Sequence, residues 1–382
     1  MSKLIPIVVF SIVMAILSHK YSGYDPESCS YERKERLFYT LMAIGLILFA
    51  GLRTYYNDTS TYKYIYNTTV SEVSAGKQLT EGIDWLQLGD NPGFVFIIRT
   101  MAYLGFSTQD FLLAFSCFTI AANLWFFRKY SCNLWLTVLL YLTLAGYTFS
   151  LAAIKQCAAM AICLIATDRA INRKYSSFVF YVLLASLFHA YALMYLLVPI
   201  LFFRPWSKYT LLMLVVFGAA GFGLELMLGT LLDVTDMLGE GYNAASFSGE
   251  GVNPLRLLVT LVPTVLALMT AEQIAKKEDR AHYLIVNLTM LNAEIMFVGL
   301  FGTANYFARL ANYFIPFQAL SIPWLLKHFD YRERRTMTTL AVMGYVAFFV
   351  YAQSIGGNFD GGFHRITLWD YLKTLLLGGL FS

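Results

Sequence analysis

The chain has 382 residues, 58% of them hydrophobic and only 14% charged, where soluble domains carry about a quarter charged residues. This excludes a soluble globular protein, and the net charge of +4 is too small to argue for a nucleic-acid partner. Apolar stretches recur from end to end, so we read an all-α polytopic helical bundle of about 10–12 membrane segments, a single membrane domain over residues 1–382.

Residues 4–18 form a first helix: they have the length of a signal-peptide core, but "AILSHK" lacks a small-residue cleavage site. A second helix, 37–52, runs into the long outer loop 53–92, which begins "RTYYNDTSTYKYIYN". Residues 92–105, "PGFVFIIRTMAYLG", are short and carry Arg99, and they read as an amphipathic helix on the outer surface. Helices follow at 109–127, 134–151 and 155–170, with an outer turn near 147–154. The apolar run 176–203 has basic loops at both ends, so it must be a hairpin, turning at "LFHAY" with His189 at its apex. Four more helices are expected at 209–232, 255–274, 282–301 and 306–326, then a last one at 337–354, and an acidic outer loop over 233–253 carries Asp233, Asp236, Glu240 and Glu250.

Lysine and arginine mark the cytoplasmic side of a membrane protein. Six basic loops, 19–36, 128–133, 168–175, 204–208, 275–281 and 327–335, can be placed inside together once 92–105 is interfacial and 176–203 is a hairpin. Five cysteines show no metal or redox spacing, so we expect neither a disulfide framework nor a metal site. No phosphate-binding glycine loop or hydrolase motif is present either.

With this orientation the polar residues near membrane segments gather on the outer side. Arg53 ends the second helix, Asp58 follows it, Lys155 and Gln156 open the helix 155–170, and Asn305, Arg309 and Asn312 share one face through their i, i+4, i+7 spacing. Charged groups at membrane depth cost several kcal/mol unless paired or wetted, so such a cluster points to a site. Three cations, Arg53, Lys155 and Arg309, suit an anionic group such as a lipid pyrophosphate, with His189 or Asp58 as the base. Each also has a structural reading: Arg53 and Lys155 as snorkelling helix ends, Asp58 as a turn residue, Glu225 and Glu294 as partners for Arg309 or Lys155, and Tyr55, Tyr56, Tyr62, Tyr64 and Tyr66 as an interfacial belt.

The segments "GLR…NDT…Y" at 51–62, "NPGF" at 91–94, "IKQCAAMAICLIA" at 154–166, "ASLFHAYALMYLLVPIL" at 185–201 and "RLANYF" at 309–314 resemble, in order and spacing, the EpsG family of bacterial polysaccharide polymerases, related in role to the Wzy O-antigen polymerases. The resemblance implies a membrane glycosyltransferase of the cytoplasmic (inner) membrane that works on its outer face. It would transfer a growing O-antigen, capsule or exopolysaccharide chain from undecaprenyl pyrophosphate to the next lipid-linked repeat unit. No cofactor is implied, and the partners are the lipid-linked donor and acceptor, the bilayer, and possible companions in a chain-length regulator and a flippase. The residues that carry this over are His189 and Asp58 as catalytic groups, with Arg53, Lys155, Gln156, Asn305, Arg309, Asn312, Tyr62 and Tyr313 around the pyrophosphate and glycan. One departure is Lys155 before Gln156 where arginine is expected, which keeps the charge but loses the planar two-pronged grip on phosphate. The alternatives are a flippase or transporter of lipid-linked oligosaccharide and a membrane O-acyltransferase.

Overall fold

The computed structural model describes residues 1–25, 30–31, 35–237, 251–276, 279–302, 304–354 and 359–378. Its helices are α1 (Ile5–Tyr21), α2 (Leu37–Gly51), α3 (Thr59–Ser74), α4 (Pro92–Tyr103), α5 (Thr108–Tyr130), α6 (Leu134–Thr143), α7 (Gly146–Ala152), α8 (Ile154–Ile171) and α9 (Tyr175–Ser186), followed by a 3-10 segment (Ala190–Leu201). Beyond these come α10 (Lys208–Phe222), α11 (Leu224–Met237), α12 (Pro254–Met269), α13 (Ala271–Ala275), α14 (Arg280–Val298), α15 (Ala304–Asn312), α16 (Ile315–Leu326), α17 (Tyr331–Ser354), α18 (Phe359–Gly362) and α19 (Leu368–Gly378). Two short antiparallel pairs, β1 (Tyr24–Asp25) with β2 (Ser30–Tyr31) and β3 (Arg53–Tyr55) with β4 (His364–Arg365), are the only strands among the described residues. The all-α membrane bundle holds.

Its surface is turned inside out relative to a soluble fold. Large apolar side chains face outward, among them Leu212 at 60%, Leu258 at 61% and Met343 at 63% exposure, as suits a protein covered by lipid. Asn287, Thr289, Asn292, Gln318 and Ser321 are instead fully enclosed. Thr289 donates to Ser321 at 3.2 Å and Asn292 to Gln318 at 3.3 Å, so α14 and α16 are joined by side-chain hydrogen bonds of the kind that join helices in lipid.

Of the described helices, α5, α14 and α17 are each long and apolar enough to cross a membrane, and α6 with α7 makes a fourth if the bent pair counts as one. Seven shorter apolar helices of 10–17 residues accompany them. Several continuous helices expected from the sequence are in fact broken. The run 134–151 bends by 50°, because Ala145 takes a left-handed conformation (φ +63°). Gly146, next to it, sits so close to the Tyr141 ring that an added Cβ would come within 2.8 Å. The run 209–232 breaks at Gly223, and 306–326 breaks between α15 and α16, where Pro316 has no N–H to bond the carbonyl of Asn312. The long outer loop is not all loop: α3 occupies Thr59–Ser74 within it. Part of the acidic loop, 238–250, lies outside the described residues.

Contacts tie five of the six basic loops to one another. Arg128 donates to the Glu35 carbonyl, Lys129 pairs with Asp168, and Arg280 donates to the Tyr175 hydroxyl at 2.8 Å while stacking on Phe202. His282 reaches the Tyr130 carbonyl at 3.1 Å, and Asp279 feels Lys327. Burial alone would raise the Asp279 carboxyl, but hydrogen bonds from His282 hold it down at about 2. Cys132, in this region, is disulfide-bonded, which no spacing in the sequence foretold.

The hairpin at 176–203 is also present, in an unusual form. It leaves the basic end as α9, turns at His189, and returns as 3-10 helix to Leu201 and Phe203, whose carbonyls accept from Asn287 at 2.8 and 2.7 Å. With three residues per turn, Ala192, Tyr195 and Val198 form one buried row, while Leu197 and Ile200 face outward. The expected interfacial helix is α4. It packs with α3 over the start of α5 through Tyr66 stacked on Phe111 (4.9 Å) and Phe94 against Phe115 (5.5 Å). Arg99 in α4 binds the carbonyls of Gln78, Leu79 and Glu81, so it folds the loop and stays off the surface.

Candidate active site

At the end opposite the basic loops, four breaks in helical structure converge: the end of α2, the start of α8, the apex of the hairpin, and the junction of α15 with α16. His189 stands at the apex in extended backbone, just before the 3-10 segment. Its Nδ1 lies 2.9 Å from the Tyr313 hydroxyl, and its ring meets Tyr191 edge-on at 5.0 Å. Tyr313, in the α15–α16 junction, is fully buried, and its carbonyl accepts from the Tyr195 hydroxyl at 3.0 Å. The imidazole is thereby fixed from two sides.

Lys155 and Arg309 lie within electrostatic range of His189. Lys155 is half-buried at the start of α8, and Arg309 is exposed on α15. Gln156 donates to the Arg309 carbonyl at 2.6 Å, which pins α8 to α15. The Tyr62 hydroxyl bonds the backbone of Lys155, supplying a partner to one of the amides that a helix start leaves open. No metal-type cluster of three or more His, Cys, Asp or Glu occurs among the described residues.

Other expected members are placed differently. Arg53 is 1% exposed and its guanidinium is spent internally, on the Ala50 carbonyl (2.6 Å), Ser116 Oγ (3.0 Å) and Thr59 Oγ1 (3.2 Å). Asp58 is exposed and begins α3, where a negative charge favours the helix. Asn312 is buried and accepts from Arg256 at 2.6 Å, so it turns to α12 although it shares a helix with Arg309. The side chains of Asn305 and Glu225 lie outside the described residues. Glu294 is buried with both carboxyl oxygens unpartnered, and so is bonded to neither Arg309 nor Lys155. The tyrosines of the loop split by helix face: Tyr62 and Tyr66 are buried, while Tyr55 and Tyr64 are exposed at 47% and 73%.

Arg256 is the functional candidate that the sequence reading passed over. With Asn312, Asn57, Thr148 and Gln353 it lines a cavity of about 470 Å³ beside the α15–α16 junction. Its signal was a lone cation in the first turn of an apolar helix, "NPLRLL".

The sequence model of the EpsG family matches residues 36–359. The chain belongs to the EpsG family. No curated protein and no solved structure matches it. The EpsG match makes the chain polysaccharide-polymerase-like, a membrane protein of the glycosyltransferase kind. The match spans every element that builds the site, from α2 through the apex His189 and the α15–α16 junction to α17.

Proposed function

We propose that this EpsG-family chain polymerises a polysaccharide on the outer face of the bacterial cytoplasmic membrane. It transfers the growing glycan from undecaprenyl pyrophosphate to a hydroxyl of the next lipid-linked repeat unit. The observation that carries this is the His189–Tyr313 pair, set beside Lys155 and Arg309 at the end away from the basic loops.

In the reaction the acceptor hydroxyl oxygen forms a bond to the anomeric carbon as the bond from that carbon to the pyrophosphate oxygen breaks. The acceptor's proton passes to an imidazole nitrogen of His189, and the pyrophosphate leaves with the electron pair. Tyr313 orients the ring by holding Nδ1, which leaves Nε2 to face the acceptor. Lys155, Arg309 and Arg256 stabilise the charge that grows on the leaving group. Because Arg53 is enclosed, it serves as a positioning residue that fixes the end of α2 against α5. Asp58, exposed at the start of α3, is the alternative base.

The one-sided placement of cations favours polymerisation over lipid-linked oligosaccharide transport, which needs a cavity open in turn to both sides. An O-acyltransferase drawing its acyl donor from the cytoplasm would need its histidine at the basic end, whereas His189 lies at the other. The test is substitution in the native host: His189→Ala and Arg309→Ala should leave protein in the membrane but abolish long glycan chains. Normal chain lengths from both variants would refute the assignment.

A further inference from the structure

An apolar groove of about 610 Å³ runs between α12 and α17 on the lipid-facing side. Its walls are Leu258 and Leu340, 61% and 56% exposed, and its floor includes Tyr345 and Leu266, 3% and 7% exposed. From Met337 to Tyr351 the groove follows α17 for about 21 Å at the rise of an α-helix, roughly two-thirds of a hydrocarbon core.

The groove is built in. Pro263 cannot donate to the Val259 carbonyl, so that oxygen is left to other partners. Gln318 Nε2 (2.9 Å) and the Tyr345 hydroxyl (3.1 Å) both bond it. These bonds fix α12 against α16 and α17 at the level of the floor. At Gly344 an added Cβ would meet nothing within 4 Å.

At its end nearest the candidate active site the groove meets the polar cavity that holds Arg256 and Asn312, and Phe348 lines both. Asn312 holds the Arg256 guanidinium by one N–H at 2.6 Å. Among the described residues no carboxylate lies within ion-pair distance of it. A groove of hydrocarbon character ending at a fixed guanidinium fits one kind of molecule, a long apolar chain with a phosphate head.

We infer that the α12–α17 groove holds the isoprenoid chain of the lipid-linked substrate, with Arg256 at its head taking the diphosphate. This rests on the polymerase reading only for the identity of the lipid. Carbon chain and charge are each recognised separately: the groove sets the affinity for chain length, and Arg256 sets the preference for a charged head.

The test is photolabelling of the full chain in lipid nanodiscs by undecaprenyl diphosphate bearing a diazirine in its tail, with labelled peptides mapped by mass spectrometry. Label should concentrate within 255–266 and 337–351. Gly344→Trp, which fills the groove, should lower it by about ten-fold, a change of ~1.4 kcal/mol in binding. Arg256→Gln should lower labelling by the diphosphate while leaving that by the matching uncharged alcohol unchanged. A two-isoprene diphosphate should compete poorly with the wild type and no worse with Gly344→Trp, which also checks that this variant is folded. Label spread evenly over the lipid-facing helices, label gathered at the α1–α2 crevice beside Lys3 and Arg365, or labelling indifferent to Gly344→Trp would overturn the inference. Labelling needs no turnover. Intact groove labelling with no polymer made by the wild type would therefore sink the polymerase reading alone, and the converse result would sink the groove alone.

Discussion

His189 and Arg53, both buried, show how hydrogen-bond partners separate two roles that look alike in a sequence. Both are polar groups at the ends of apolar runs. His189 is held by Tyr313 beside two cations, while Arg53 spends its Nε and Nη1 on Thr59, Ala50 and Ser116. Different outcomes follow. Arg53→Met removes the three buried hydrogen bonds to Ala50, Ser116 and Thr59 and should cost about 1–3 kcal/mol of stability, read as a lower thermal midpoint in detergent. Arg309→Ala, at an exposed position, should leave the midpoint unchanged and abolish long glycan chains. Tyr313→Phe keeps the ring but drops the bond to His189. It should slow extension by roughly ten-fold, within the range that general base catalysis contributes, with binding of the lipid substrate unaffected. The sequence pointed to His189, Lys155, Gln156, Arg309, Tyr62 and Tyr313, and the fold brings these six together. It could not say which cation would be enclosed, because enclosure of Arg53 depends on Ser116, more than sixty residues away. Arg256 was legible only as an isolated charge in an oily helix, and its meaning came with Asn312 and the cavity.

Among the elements, long apolar periodic runs were read correctly as helices, and the errors fall where a single residue breaks them. Ala145 divides a run whose apolar character is continuous, so composition carries no warning of that break, whereas Gly223 and Pro316 are breakers that stood in the sequence and were read through. The helix α3 was missed for the opposite reason. Serine, threonine and asparagine interrupt its apolar residues and its tyrosines read as a belt, yet Tyr62 and Tyr66, four apart, face one way into the protein. Between α10, α12 and α14, Glu294 sits in a small cavity with Thr264, both unbonded. An unsatisfied buried polar group costs about 1–3 kcal/mol, so Glu294→Leu should raise the thermal midpoint without loss of polymer. A fall in the midpoint would mean that the carboxyl has a partner in the membrane that the described residues do not include.

For the whole molecule, the charge pattern along the chain was the most informative feature of the sequence. It demanded both the interfacial helix at 92–105 and the hairpin at 176–203, and it predicted that six basic loops share a side; contacts join five of them. Disulfides are rare in a reducing cytoplasm and Cys132, in the basic region, is disulfide-bonded, so the side on which the basic loops lie is a separate prediction. Single cysteines placed at Arg173 and at Asn57 decide this through a membrane-impermeant thiol reagent on intact cells. With the basic loops inside, Asn57→Cys should react and Arg173→Cys should stay protected; the reverse pattern would turn the protein over and move the site inside. The most direct test of the central claim is a gel of surface glycan from the host with and without this gene. Loss of the ladder of long chains, with single repeat units still exported, is the result predicted for a polymerase. Repeat units trapped on the cytoplasmic side would make the protein a translocator and contradict the account.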